Sequence, residues 1–117
     1  MYLSDASDTA AKPAPAIIME AIVRQLCLAA TYNRADIVVA PHILYMRHDE
    51  LYVDALTVSR NLMLAKEPKL ATFKLTGLGA LRLTDRSFVP SALFEPEAEK
   101  YAGCALMAVE RESQPAD

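Results

Sequence analysis

The sequence predicts a small α+β fold that is mainly β, in which one N-terminal helix precedes strands that curl into a barrel. Three observations support this prediction. Apolar residues repeat at four-residue spacing near the start, short apolar runs alternate with polar turns over residues 27–84, and a proline interrupts the second of these runs. The length of 117 residues, of which 53% are hydrophobic and 23% charged, fits one globular domain.

The first elements are an arm and a helix. Residues 1–14 are predicted as a mobile N-terminal arm, because Ala, Ser, Asp and Pro leave little apolar surface to bury. Pro15 suits the first turn of a helix and begins a domain expected over residues 15–110. The apolar stripe of this helix consists of residues four positions apart, Ile18, Ile22 and Leu26.

Strands follow the helix. The apolar runs predict strands at residues 27–32, 37–46, 51–58, 70–75 and 78–84. Polar turns are expected at 33–36 and 47–50, and an excursion loop at 59–69. Since proline has no N–H for a ladder, the second strand either lies at an edge or bends at Pro41, as at a barrel corner. The chain beyond Phe88 should wrap the core, with a last strand or short helix at 104–109.

Alternation assigns the strand residues to faces. Val53 is expected in the core and Tyr52 and Asp54 on the opposite, polar face of the third strand. In the fourth strand Phe73 alternates with Lys74, so Phe73 is predicted as a core anchor.

The landmarks along these strands have a distinctive order. They are Pro41-His42-Ile43-Leu44, Leu51-Tyr52-Val53, Phe73-Lys74-Leu75 and Thr84-Asp85-Arg86-Ser87-Phe88. Their order resembles a WYL domain, a family named for a Trp-Tyr-Leu tripeptide and found mainly in bacterial regulators. The resemblance implies a small barrel similar to the Sm and SH3 folds.

The resemblance also implies a ligand site. Tyr52 and Lys74 match positions associated with the family's ligand pocket, Arg60 matches a place where the family often has another base, and His42 would lie at the margin. Stacking and positive charge suit a nucleotide, a single-stranded oligonucleotide or another anion. Two alternatives stay open: Tyr52 as a half-buried barrel tyrosine, and His42 as a hydrogen-bonded strand histidine, which we favour.

Two functions are compatible with these residues. The first is a stand-alone, non-catalytic sensory module that binds such an anion and acts on a regulator protein. The second is an interaction or assembly module, including a homo-oligomer, that has lost the ligand, as Leu51 in place of the family's Trp permits. Its contact would be the apolar triplet 62–64 or an edge strand. Convergence of Tyr52, Lys74 and Arg60 on one concavity would favour the first function, and scatter the second.

Charge and composition limit the classes of protein to which this chain can belong. The net charge of −3 is unevenly distributed along the chain. Residues 95–117 carry six acidic and two basic side chains, and their last part, 111–117, is predicted as an acidic tail. No run of adjacent bases forms a nucleic-acid stripe, and no apolar run reaches the roughly 20 residues of a membrane span. A cytoplasmic location is expected, with Cys27 and Cys104 as reduced thiols.

Catalytic and metal-binding patterns are weak. His42 and His48 should lie nearly 20 Å apart along one strand, too far to share a metal. No nucleophile elbow or glycine-rich phosphate loop is present in the sequence, and Asp49 and Glu50 fall in a predicted polar turn. We therefore expect neither an enzyme nor a metal or cofactor site.

Overall fold

The computed structural model describes residues 12–110. The predicted arm, up to residue 11, and the acidic tail at 111–117 lie outside the described residues. Within the described range one α-helix, α1, spans Ala14–Arg24. The strands follow in chain order: β1 Leu26–Tyr32, β2 Ala35–Arg47, β3 Glu50–Arg60, β4 Met63–Leu64, β5 Leu70–Lys74, β6 Gly79–Ser87 and β7 Ala105–Ala108.

The strands form one antiparallel sheet in the order β4-β3-β2-β1-β6. β5 also pairs with β3, and β7 also pairs with β2. The sheet curls into a half-barrel, so the predicted class, mainly β with an N-terminal helix, is confirmed. The last strand, left open as strand or helix, is a strand. No helix in the described range is long and apolar enough to cross a membrane.

Three hairpins turn through two residues with positive φ. These pairs are Asn33-Arg34, His48-Asp49 and Asn61-Leu62. Positive φ at both central residues matches the twist of the flanking strands, as in a type I′ turn. The first two pairs confirm the predicted polar turns. The third differs from the predicted excursion loop, because Asn61 accepts a hydrogen bond from the Asp36 N–H at 3.0 Å and fixes a hairpin into β4.

Pro41 lies in a central strand. β2 pairs with β1 up to Val39 and with β7 from Ile43 onward, so Pro41 falls between the two partners. The register against β3 also shifts between Pro41 and Ile43. Of the two alternatives, the bend is therefore correct. Pro41 has no N–H, and it lies at a bulge, where the regular ladder of hydrogen bonds is interrupted.

Both faces of the curled sheet are covered. On one face α1 buries Ile18, Ala21 and Ile22. The opposite face is covered by the chain after β6, whose Phe94 and Tyr101 are buried as predicted for a wrapping segment. The polar face predicted for β3 is therefore covered at Asp54, which is only 2% exposed.

Candidate functional site

Tyr52 and Lys74, two of the four predicted site residues, are neighbours. They lie directly opposite each other in the β3–β5 ladder. Tyr52 is half-buried and its ring stacks on that of Tyr45 with 5.9 Å between centroids. This placement agrees with the alternative of a half-buried barrel tyrosine, and it leaves part of the ring open to solvent.

The charge of Lys74 already has a partner. Its Nζ lies 2.9 Å from Oε1 of Glu50, and the two side chains are 46% and 44% exposed. The hydrogen bond and charge of Glu50 raise the pKa of Lys74 above its ordinary value. An exposed pair of this kind contributes little to stability. An anion bound at Lys74 would nevertheless have to compete with the Glu50 carboxylate.

Arg60 does not join this pair. It lies at the far end of β3, eight residues from Tyr52, which corresponds to roughly 26 Å of extended strand. Its register partner Ile37 is at the opposite end of β2 from Tyr45, the partner of Tyr52. The predicted basic residues are therefore scattered along the sheet.

His42 is fully buried. The Ser91 N–H donates to its Nε2 at 2.9 Å, so Nδ1 carries the proton that is donated to the Ala40 carbonyl at 2.8 Å. The rings of Phe88 and Phe94 lie 5.2 and 5.3 Å away. This geometry is that of a hydrogen-bonded strand histidine, the interpretation favoured from the sequence.

A cavity of about 720 Å³ lies at the end of the sheet near Lys74. Its lining combines an apolar wall with a polar rim: Ala14, Pro15, Met46, His48, Asp49, Glu50, Leu51, Leu75 and Thr76. The rim carries two carboxylates, Asp49 and Glu50, of which Glu50 is paired with Lys74, so its net charge does not favour an anion.

A buried cluster around Asp54 was not predicted. Four donors share its carboxylate: Tyr45 Oη at 2.8 Å and Thr72 Oγ1 at 2.7 Å on Oδ1, and Lys100 Nζ at 2.9 Å and Tyr101 Oη at 2.5 Å on Oδ2. Two donors come from the sheet and two from the covering segment. Asp54 therefore ties the wrapping segment to the sheet.

The electrostatics of the cluster favour a charged Asp54. Burial acts to raise the pKa of the carboxyl, but the hydrogen bonds from its four donors outweigh burial and hold the pKa below its ordinary value. Burial and the neighbouring carboxylate raise the pKa of Tyr101. With both oxygens occupied and little exposure, the carboxylate acts as a structural anchor.

One sequence signal pointed to this cluster. Asp is depleted in strands, and Asp54 lies between Val53 and Ala55 in the middle of an apolar run. Its partner Lys100, 46 residues downstream, carries no comparable signal.

The most exposed apolar surface is the β3–β4 turn. Leu62, Met63 and Leu64 are 93%, 71% and 68% exposed. Three exposed bases, Arg60, Lys66 and Lys69, and one exposed acid, Glu67, lie in the same segment of the chain, which leaves it with a net positive charge. We call the three apolar residues and the three bases the hairpin tip.

A comparison with protein-family models finds no match for this chain. Comparisons with curated proteins and with solved structures likewise find none. Within residues 12–110 no group of three His, Cys, Asp or Glu side chains is placed to hold a metal ion. The resemblance to WYL domains stays a prediction.

Proposed function

We propose that this protein is a non-catalytic interaction module that contacts its partner through the hairpin tip. The observation that carries the proposal is the exposure of three consecutive large apolar side chains at one turn, 93% at Leu62. Single exposed apolar residues are ordinary on protein surfaces, whereas contiguous ones mark interaction sites. The separation of Arg60 from the Tyr52–Lys74 pair supports the same choice between the two predicted functions.

The backbone of Leu62 strengthens the proposal. Leu62 has a φ of 69° in a turn position where glycine is preferred. A left-handed conformation destabilises an L-residue by about 1–2 kcal/mol. Because the Leu62 side chain is almost fully exposed, packing within the fold does not offset this cost. Arg34 and Asp49 hold the same turn position with the same sign of φ, so what distinguishes Leu62 is its large, exposed apolar side chain, which supports a role in contact with a partner.

Photo-crosslinking tests the proposal. A benzoylphenylalanine replacing Leu62 should form adducts with a specific partner in cells that make the protein. Val23, an apolar residue that is 67% exposed on α1, provides the matched control position. Identical adducts from both positions, or none from position 62, would contradict an interaction role for the tip.

A second candidate is the sensory module, a barrel of the Sm or SH3 kind that binds a nucleotide or other anion. The direct pairing of Tyr52 with Lys74 supports it, because an aromatic face and a positive charge then lie side by side. Its test is a thermal-shift screen with short single-stranded DNA, RNA and cyclic nucleotides. A ligand whose binding is weakened by both Tyr52→Ala and Lys74→Ala would favour this candidate.

A further inference from the structure

A second exposed surface complements the hairpin tip. In the chain that covers the sheet, Val89 is 82% and Leu93 is 51% exposed. Three exposed acidic residues follow at Glu95, Glu97 and Glu99. We call these five residues the acidic face. The hairpin tip thus combines apolar side chains with positive charge, and the acidic face combines apolar side chains with negative charge.

The charges on both surfaces are available for a partner. Within the described part of the chain, ion pairs involve Glu20, Glu50 and Asp54, and none involves the bases of the tip or the acids of the acidic face. Complementary charges of this kind favour encounter and set the orientation of an interface.

The two surfaces are separated within one chain. Ser91, inside the acidic segment, bonds to His42, whereas Arg60 pairs with Ile37. His42 and Ile37 are five residues apart on β2, roughly 17 Å along the strand. A contact between the tip and the acidic face therefore requires two molecules.

We propose that the hairpin tip of one copy docks on the acidic face of a second copy. This inference rests on the proposed function, in which the tip is an interaction surface, and adds the identity of the partner. Because two different surfaces meet, the contact is head-to-tail, and a pair of copies keeps one free tip, on one copy, and one free acidic face, on the other. The assembly therefore extends to a ring or a chain. Its charges make it weaken with increasing salt.

Complementation between two variants tests this arrangement by sedimentation velocity. The tip variant carries Leu62→Ser and Leu64→Ser, and the face variant carries Glu95→Lys and Glu97→Lys. Each variant alone should self-associate at least tenfold more weakly than the parent. The tip variant loses two apolar contacts, and the face variant reverses two charges that would meet the bases of the tip. Mixed in equal amounts, they should form a 1:1 dimer that does not grow, since only one intact tip and one intact face remain.

A Val23→Ser variant is the matched control and should associate like the parent. A parent that stays monomeric at millimolar concentration and low salt would overturn the head-to-tail proposal, as would a mixture that forms no dimer. The crosslinking experiment separates this failure from failure of the proposed function. Adducts from position 62 to another protein would sustain the interaction role and overturn the second copy as partner.

Discussion

Phe73 is an anchor residue in the core of the curled sheet. Its side chain is 5% exposed, and Tyr32 meets its ring edge-on with 5.0 Å between centroids. Replacing Phe73 by Ala should lower the free energy of unfolding by about 3–5 kcal/mol, a large part of the stability of a small domain. Urea unfolding followed by circular dichroism measures the change.

Lys74→Ala is the matched control, because its side chain points to solvent and loses only an exposed ion pair. It should change the free energy of unfolding by less than about 1 kcal/mol. A Phe73→Ala protein that melts within a degree or two of the parent would show that this face of β5 does not support the core.

At the scale of one element, the β3–β4 hairpin carries a residue, Leu62, that we expect to matter for interaction and not for stability. Leu62→Gly relieves the left-handed strain but also makes the unfolded chain more flexible. We expect the free energy of unfolding to stay level or rise by up to about 1 kcal/mol. Urea unfolding checks this, and a loss above 1 kcal/mol would mean that Leu62 packs within the fold.

The elements also show what the sequence could predict. Alternation and turn residues located the helix, the main strands and Phe73, because those signals are local. The hairpin at 61–64 was predicted as part of a loop, since its ladder has only two residue pairs and depends on Asn61 reaching Asp36. The site residues were less predictable, because the burial of His42 and Asp54 depends on a covering segment more than 40 residues away.

At the scale of the whole molecule, Asp54 joins the sheet to the segment that covers it. Its carboxylate binds Lys100 and Tyr101 of the covering segment, and its pKa is held below the ordinary value of about 3.9. A carboxyl whose pKa is lower in the folded protein contributes stability above the unfolded pKa. That contribution is lost as the pH falls through the folded pKa.

Asp54→Asn should therefore lower the free energy of unfolding at pH 7 by about 2–4 kcal/mol, because Lys100 loses its charge partner and an amide cannot accept from all four donors. The difference from the parent should persist above the unfolded pKa and shrink as the pH falls below it toward the folded pKa, where the parent's carboxylate also becomes protonated. Urea unfolding across this range provides the measurement.

Asp85→Asn, at an exposed strand position, should leave both the stability and its pH profile nearly unchanged. A gap between Asp54→Asn and the parent that does not narrow at any pH below the unfolded pKa would mean that the charge of Asp54 does not hold the covering segment in place.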